Sequence, residues 1–315
     1  MTTGRHERII PDSRRALARL ISEVERGGPS ADQLMRRLGA QPARSWVVGV
    51  TGPPGSGKST LVDCLTSVAR AEGLSVGIVA VDPTSPFSGG AILGDRVRML
   101  GHSGDPGVFI RSMAARDSLG GLAPGSRDVV RVLDAYGFDL VILETVGVGQ
   151  TELDVVRVAD SVVVVAVPGL GDAVQALKAG ILEIADLIVV NMADRPGADR
   201  TVAELEAMLH IGPSQTWTPP VLQTVATEER GIAEVWDALQ GHRRQLEQSG
   251  DLVERRRQRV ETEVIELVER ELRRRITRQI RVDGRLAQVL DDARNERLDP
   301  HTAAARIIDR VVGRQ

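Results

Sequence analysis

The most constraining feature of this sequence is a glycine-rich loop at residues 52–59, which reads Gly-Pro-Pro-Gly-Ser-Gly-Lys-Ser. The apolar run Trp46–Val50 precedes it, and Thr60–Leu65 follows with apolar residues at helical spacing. A buried strand, a glycine turn and a helix N-terminus in this order form a phosphate cradle, because the backbone N–H groups of the first helical turn point at the anion. The pattern predicts that Lys58 reaches the β- and γ-phosphates and that the Ser59 hydroxyl binds Mg²⁺. A glycine-rich turn that matches by chance is the weaker alternative, since strand, lysine and serine all occur in register. The residues that we assign to the cradle are Pro54, Gly55, Ser56, Gly57, Lys58, Ser59 and Thr60.

The charge and cysteine content exclude several classes of protein. The chain has 315 residues and a formal net charge of −3, which argues against a general nucleic-acid or anionic-membrane surface. It contains no apolar run of the roughly 18 residues that a membrane span needs, and its N-terminus lacks the apolar stretch of a signal peptide. The single cysteine, Cys64, excludes an internal disulfide and suits a reducing compartment. We therefore expect a cytoplasmic protein without nucleic-acid or membrane partners.

Three segments differ in their hydrophobic pattern. Residues 45–248 alternate apolar runs with amphipathic helices, which predicts an α/β domain with a mainly parallel sheet covered on both faces. Residues 1–44 predict a helical N-terminal extension, and residues 249–315 predict a helical C-terminal arm. In the arm we expect one long charged helix, Asp251–Ile276, broken at Gly284, whose apolar stripe packs either on the α/β domain or on a second copy. The predicted strands are Val47–Thr51, Val76–Val81, Val108–Ile110, Leu140–Glu144, Val162–Val167, Leu187–Asn191 and Val221–Thr224.

Acidic residues at the ends of predicted strands extend the phosphate site. Glu144 ends a buried strand before a glycine turn, which is the position of a carboxylate that holds a Mg²⁺-bound water. Gly147, three residues later, can present its backbone N–H to the γ-phosphate. Asp82, at the end of the second strand, and Asp95 are candidates for the Mg²⁺ shell or for orienting the attacking water. Each of these two aspartates is alternatively a helix cap or a turn residue.

The base preference rests on a second motif. Asn191 and Asp194 follow a predicted strand in an Asn-x-x-Asp pattern. A carboxylate here can accept from both N1–H and the exocyclic amino group of guanine, and adenine offers no such donor pair. The segment Thr224-Val225-Ala226 supplies a strand end and a loop in which the Ala226 N–H can meet guanine O6. The motifs together predict GTP and GDP as ligands, with Mg²⁺ as cofactor.

These motifs resemble the MeaB/ArgK-type GTPases, which act as chaperones for adenosylcobalamin-dependent acyl-CoA mutases and to which the human methylmalonic aciduria type A protein looks related. The run Glu-Thr-Val-Gly-Val-Gly-Gln is the most specific part of the resemblance. The resemblance implies a doubly wound P-loop GTPase fold of the SIMIBI class, a C-terminal arm used for homodimerisation, and an acyl-CoA mutase as partner. The segments that carry it are Gly52–Thr60, Asp82–Ser85, Gly89-Gly90, Gly94–Arg96, Glu144–Gln150 and Pro168–Gly180.

The resemblance also implies three switch segments. Asp82 to Asp95 corresponds to the first switch and Glu144 to Gln150 to the second. A third segment, which the family uses to sense its mutase, is matched by residues 171–178. Its candidate sensing residues are Asp172, Gln175 and Lys178, which the hydrophobic pattern alone would place on an ordinary helix. The residues that we assign to hydrolysis itself are Lys58, Asp82 and Gly147.

The sequence departs from the family at two positions. Met192 replaces the lysine of the Asn-Lys-x-Asp motif and loses the ammonium that braces the phosphate loop. Thr224 precedes Val225-Ala226 where the family usually has a serine before the alanine. We expect weaker guanine binding with specificity retained, because Asp194 is present.

Two other functions compete with a mutase chaperone. A small-molecule kinase or transport-linked ATPase, a label once attached to the ArgK name, would need adenine selectivity, and Asn191 and Asp194 argue against it. A nickel-insertion GTPase would carry a His-rich tract or a Cys/His pair, and the sequence has neither. Among the mutases, the methylmalonyl-, isobutyryl-, ethylmalonyl- and 2-hydroxyisobutyryl-CoA enzymes remain open.

Overall fold

A single seven-stranded sheet organises the first part of the chain. The computed structural model describes residues 13–39, 43–82, 100–102, 104–114, 125–145, 154–169, 182–209 and 217–312. The strands are β1 Trp46–Thr51, β2 Val76–Asp82, β3 Val108–Ala114, β4 Leu140–Glu144, β5 Ser161–Ala166, β6 Leu187–Asn191 and β7 Val221–Thr224. Their order is β3-β2-β4-β1-β5-β6-β7, and neighbouring strands pair in parallel throughout. The predicted mainly parallel sheet is confirmed.

Strand β3 is the one strand whose predicted length was clearly wrong. The apolar pattern indicates Val108–Ile110, whereas the strand continues to Ala114. Polar residues at Arg111 and Ser112 interrupt the apolar run. Pairing with β2 overrides that local signal, because β3 stays in register with β2 as far as the Asp82–Ala114 pair.

Helices cover both faces of the sheet, as a doubly wound fold requires. The helices of this part are α1 Arg14–Arg26, α2 Pro29–Leu38, α3 Lys58–Ala71, α4 Ser126–Tyr136, α5 Ala198–Leu209 and α6 Ile232–Ser249. Helices α1, α2, α4 and α5 contribute to one buried apolar cluster, and α3 and α6 to the other. The strand residues alternate between the two clusters, so that Val47 belongs to the first and Val48 to the second. This alternation buries both faces of β1 and explains its continuous apolar sequence.

Carboxylates fix the N-terminal edge of the sheet. The Val47 N–H donates to the Asp160 carboxylate at 3.1 Å, and the Ser75 N–H and hydroxyl donate to Asp139 at 2.8 and 2.7 Å. The hydrogen bonds from Ser75 lower the pKa of Asp139. Because these side chains hold the strand starts in place, the loops at the opposite edge extend from a fixed base.

The C-terminal residues form a separate compact unit. Contacts divide the chain into Met1–Leu252 and Val253–Gln315. The helices beyond α6 are α7 Asp251–Val282, α8 Gly284–Arg294 and α9 Pro300–Val312, and Leu286, Ala303 and Ile307 form a small core between α8 and α9. No residue of α7 is buried. Among the residues that the structure describes, no helix is both long and apolar enough to cross a membrane.

The predicted end of the long charged helix was wrong. Helix α7 continues past Ile276 to Val282, and Gly284 begins α8 instead of interrupting α7. The break lies at Asp283, whose carboxylate accepts from the Arg285 N–H at 3.0 Å and so caps α8. A side-chain hydrogen bond from Arg310 lowers the pKa of Asp283, which keeps this cap charged.

Candidate functional site

The C-terminal edge of the sheet brings together the strands whose ends carry the predicted nucleotide residues. Strands β1, β4, β6 and β7 all present their carboxyl ends there, because they run in parallel. Strand β1 lies between β4 and β5, where the winding of the chain reverses direction. Doubly wound sheets open a binding crevice at this point. The glycine-rich loop leaves the sheet from β1.

The loop has the geometry of a phosphate cradle. Gly52 has φ +140°, and a Cβ there would lie 2.2 Å from the Val165 carbonyl oxygen, so that only glycine fits. Gly57 has φ +83° and ends the turn directly before α3. The N–H groups of the first turn of α3 have no intrahelical acceptors, which leaves them available to an anion. The residues assigned to the cradle are exposed at the tip of the loop, at Pro54 and Gly55, and are buried or partly buried after it. The full set is Pro54, Gly55, Ser56, Gly57, Lys58, Ser59 and Thr60.

The ammonium of Lys58 lies on the loop itself. Its Nζ donates to the carbonyl oxygens of Gly52 and Pro53, both at 2.9 Å, and the side chain is almost wholly buried. These carbonyls hold the cation where the β- and γ-phosphates are expected. The phosphates would replace neutral acceptors with charged ones, and hydrogen bonds to charged groups are the stronger.

Ser59 and Glu144 meet at the mouth of the loop, as the sequence analysis implied. The Ser59 hydroxyl donates to Glu144 Oε1 at 2.7 Å, and both residues are buried. Hydroxyl and carboxylate oxygens are the donors that Mg²⁺ prefers, and Mg²⁺ keeps several waters when it is shared with substrate phosphates. The described residues hold no group of three or more His, Cys, Asp or Glu that could bind a metal. The hydroxyl and carboxylate oxygens of Ser59 and Glu144 fit a Mg²⁺ ion that is also bound by water and by nucleotide phosphates.

Other predicted site residues are only partly described or lie outside the described residues. The backbone of Asp82 ends β2 at the same edge of the sheet as Glu144. The residues outside the described ranges are Asp95, Gly147, Gln150, Asp172, Gln175 and Lys178. Their assigned roles stay predictions.

Asn191 connects three loops at the predicted base site. Its Nδ2 donates to the Ser56 carbonyl at 2.8 Å, and its Oδ1 accepts from the Thr224 hydroxyl at 3.0 Å and from the Ala226 N–H at 3.2 Å. A Cβ on Gly57 would lie 2.3 Å from this Nδ2, so the amide packs directly on the loop. The Ala226 N–H that we expect at guanine O6 thus donates to Asn191 here and would have to be shared with the base.

The turn that follows Asn191 presents Asp194 to solvent. The Arg195 N–H donates to the Met192 carbonyl at 3.0 Å, which closes the turn, and the Ala193 N–H donates to the Thr224 carbonyl at 3.0 Å, which ties it to β7. Thr224 and the following Val225 are buried, whereas Asp194 is exposed. The turn that carries Asp194 is therefore held by main-chain hydrogen bonds, and the Asp194 carboxylate is accessible to a ligand.

Met192 occupies the lysine position of this motif in an unusual backbone conformation. Its φ is +58°, in the left-handed region, and its Cε lies 3.8 Å from the position of a Cβ on Gly57. Its side chain therefore runs toward the phosphate loop. Asn191 alone supplies a hydrogen bond from this motif to the loop among the described contacts.

We expect Met192→Lys to tighten GDP and GTP binding by about 1–3 kcal/mol, because the ammonium would add a charge-assisted hydrogen bond beside Gly57. The measurement is the dissociation constant of a fluorescent GDP analogue. Met192→Leu, which keeps the apolar stem without a charge, is the control and should bind as the wild type does. Equal affinities for the lysine and leucine variants would show that the ammonium finds no acceptor there.

Cys64 contacts the predicted guanine-binding segment Thr224–Ala226, here called the base loop. Sequence reasoning missed this role. Its thiol donates to the Ala226 carbonyl at 3.2 Å. Burial raises the pKa of Cys64 to about 11, with a further contribution from the neighbouring Asp63, so the thiol stays protonated and able to donate at neutral pH. The sequence analysis predicted only a single, unpaired cysteine, and no local pattern indicates a partner 162 residues away.

The far end of α3 is anchored by two polar contacts. Arg70 forms a two-pronged ion pair with Asp105, at 2.8 and 3.0 Å, and this hydrogen bonding lowers the pKa of Asp105 to about 2. The Trp236 indole N–H on α6 donates to Glu72 at 2.7 Å. Because the helix is held at this end, its N-terminus keeps a fixed direction toward the phosphate site.

Comparisons with known proteins agree with this geometry. The family model described as methylmalonyl Co-A mutase-associated GTPase MeaB matches residues 17–281. A Pyrococcus abyssi protein named as a GTPase is 49% identical over 311 residues, which are 98% of this chain and 96% of that protein. The mitochondrial methylmalonic aciduria type A homolog of Mus musculus is 36% identical over 214 residues, 66% of this chain and 52% of the relative. A crystal structure titled LAO/AO transport system kinase matches with a TM-score of 0.69 at 29% identity, over 96% of this chain and 94% of that one.

Proposed function

This chain belongs to the MeaB family of GTPases, and from that premise we propose that its hydrolysis of GTP gates the loading of adenosylcobalamin into an acyl-CoA mutase and protects the loaded enzyme. The observation that carries the proposal is the family match over residues 17–281, which includes the phosphate loop, the base loop and much of α7. The proposal places the protein in the cytoplasm with its mutase.

The described residues supply the parts of a GTPase whose catalysis is positioning and charge neutralisation. Lys58 and the first-turn amides of α3 neutralise phosphate charge, and Ser59 with Glu144 would hold Mg²⁺, which when bound neutralises charge on the β- and γ-phosphates. Asn191 and Asp194 would orient guanine. We assign no arginine finger, so intrinsic turnover is expected to be slow and to rise when a partner supplies further charge.

Lys178 is our candidate for the residue that couples the partner to hydrolysis. Of the 40 basic residues in the chain, only Lys58 and Lys178 are lysines. Because all the remaining basic residues are arginines, a lysine at position 178 supports a requirement for a compact ammonium in place of a planar guanidinium. Residue 178 follows β5 along the chain, and β5 ends at the nucleotide edge of the sheet.

The mutase proposal is tested by measuring GTP turnover with and without each candidate adenosylcobalamin mutase. We expect the cognate mutase to raise wild-type turnover, and Lys178→Ala to reduce that stimulation while the basal rate is kept. Arg200→Ala, which removes an exposed pair with Glu204, is the matched surface control. If no cobalamin mutase stimulates the wild type, the proposal fails. If basal and stimulated rates fall together in Lys178→Ala, the sensing role of Lys178 fails.

A second candidate function follows from the crystal structure titled LAO/AO transport system kinase, which matches nearly the whole chain. A kinase would transfer the γ-phosphoryl group to a small acceptor and not to water. The two functions differ in product: release of inorganic phosphate from GTP without an added acceptor favours the GTPase cycle, and acceptor-dependent phosphorylation with ATP favours the kinase.

We also propose that the protein is a homodimer joined through α7. Val260 and Val264 on this helix are 57% and 53% exposed, and Ile265 and Val268 are 60% and 51% exposed. An apolar stripe of this kind on a long charged helix is typical of a surface that pairs with another copy. Deletion from Asp251 onward should give a protein that is monomeric by light scattering and that still binds GDP. A full-length protein that is monomeric at micromolar concentration would contradict the proposal.

A further inference from the structure

Two buried threonine hydroxyls meet beneath the phosphate site. Thr51 is the last residue of β1, and Thr145 directly follows the last residue of β4. The Thr145 hydroxyl donates to the Thr51 hydroxyl at 2.8 Å, and the two residues are 2% and 0% exposed. Neither belongs to the residues assigned so far to the nucleotide or to Mg²⁺.

The two threonines lie next to two groups of the expected phosphate site, the phosphate loop and the Glu144 carboxylate. Thr51 directly precedes Gly52, where the phosphate loop begins. Thr145 directly follows Glu144, whose carboxylate accepts from Ser59 at 2.7 Å. The Thr145 N–H also donates to the Val50 carbonyl at 3.0 Å, so Thr145 is bound to β1 by its backbone and by its side chain.

Stability alone does not explain two hydroxyls here. The surrounding sheet is built from apolar residues, among them Val50, Leu143 and Val164, which are fully buried. Two valines would have nearly the same shape, and replacing both partners of a buried hydrogen bond by apolar groups of that shape is close to neutral for folding. What a hydroxyl pair adds over two methyl groups is direction, because a hydrogen bond restricts both distance and angle.

We propose that Thr51 and Thr145 are positioning residues for GTP hydrolysis. Their hydrogen bond sets the end of β4 against the start of the phosphate loop. It thereby helps to hold the Glu144 carboxylate beside the Ser59 hydroxyl, where these two groups would bind Mg²⁺. Neither threonine contacts the reacting atoms. The inference rests on the GTPase activity and is independent of the mutase proposal.

The test compares Thr51→Val, Thr145→Val and the double variant with the wild type. Thr66→Val is the matched control, because Thr66 is also buried but its hydroxyl donates to Val62 within α3. We expect the double variant to melt within about 2 °C of the wild type, and its kcat to fall about tenfold, since small displacements of catalytic groups have effects of that size or larger. Its half-saturating Mg²⁺ concentration should rise, while the affinity for GDP without Mg²⁺ stays unchanged. Thr66→Val should change none of these.

The pattern among the variants separates positioning from general damage. Each single variant should lose as much kcat as the double variant, because either substitution removes the shared hydrogen bond. Thr145→Ser keeps the hydroxyl and should retain most of the kcat that Thr145→Val loses. A double variant with wild-type kcat and wild-type Mg²⁺ requirement would overturn the proposal. A kcat that falls only in proportion to the folded fraction would overturn it as well.

Discussion

Lys58→Ala should reduce GTP hydrolysis by about 10²–10³-fold or more, the effect seen when one preorganised donor to a developing charge is removed. The structure places the Lys58 ammonium on the Gly52 and Pro53 carbonyls, inside the curve of the loop. The positive charge of Lys58 is therefore held on the loop that is expected to bind the phosphates.

The same contacts change the expected effect of this substitution on the fold. The sequence analysis assigned Lys58 to the phosphates, and its two hydrogen bonds to loop carbonyls also order the loop without nucleotide. A net contribution of about 0.5–1.5 kcal/mol per hydrogen bond predicts a modest fall in melting temperature. Lys58→Met, which keeps the buried stem and removes the charge, separates the two effects. Both variants should lose hydrolysis, and only alanine should also leave a packing defect.

Hydrolysis is measured as phosphate release at saturating GTP and Mg²⁺, with circular dichroism to confirm the fold. Wild-type turnover in both Lys58 variants would remove the basis of the phosphate-site assignment.

Asp194→Asn should shift base preference from guanine to xanthine. The Asp194 carboxylate offers two acceptors to the N1–H and amino group of guanine. Asparagine offers one acceptor and one donor, which match the N1–H and the O2 of xanthine. Sites that leave a buried polar group unpaired can reject the wrong ligand by about 10⁴-fold, so the exchange in kcat/KM between GTP and XTP should be large.

The structure makes this a clean substitution. Asp194 is exposed, and the turn that carries it is held by main-chain hydrogen bonds of Ala193 and Arg195 that an isosteric change leaves intact. Asp237→Asn, at an exposed position on α6, is the matched control and should keep GTP preference. Wild-type protein that hydrolyses ATP as readily as GTP would contradict the guanine assignment before any variant is made.

Local signals were sufficient for six of the seven strands and for the phosphate loop. The bounds Leu140–Glu144, Leu187–Asn191 and Val221–Thr224 were predicted as observed, because buried parallel strands are short apolar runs bounded by polar residues. The loop was recognisable because Gly52 and Gly57 occupy backbone conformations that favour glycine. The spacing of these glycines in the sequence therefore indicates the loop directly. The same holds for the family, since the motifs that carry the resemblance are contiguous.

The errors lie at the ends of two elements. Strand β3 continues through the polar residues Arg111 and Ser112 because it pairs with β2 along its whole length. The long helix passes Ile276 because nothing before Asp283 interrupts it. Local propensity is a weak guide at such ends, where tertiary pairing and capping set the boundary.

The sequence by itself determined which chemical groups this protein has: a lysine and a serine after a glycine turn, a carboxylate at the end of β4, and an Asn-x-x-Asp motif. Only the tertiary structure decided how those groups are held. It joins Asn191 to Ser56 across 135 residues, Cys64 to Ala226 across 162 and Thr145 to Thr51 across 94. None of these pairs has a periodic or motif signature, because a single hydrogen bond between distant residues leaves no pattern in the sequence around either one. The pairs at Asn191 and Thr145 form because parallel strands bring their carboxyl ends to one edge, where side chains from remote parts of the chain come within hydrogen-bonding distance. Cys64 reaches Ala226 because α3 contacts the segment that follows β7.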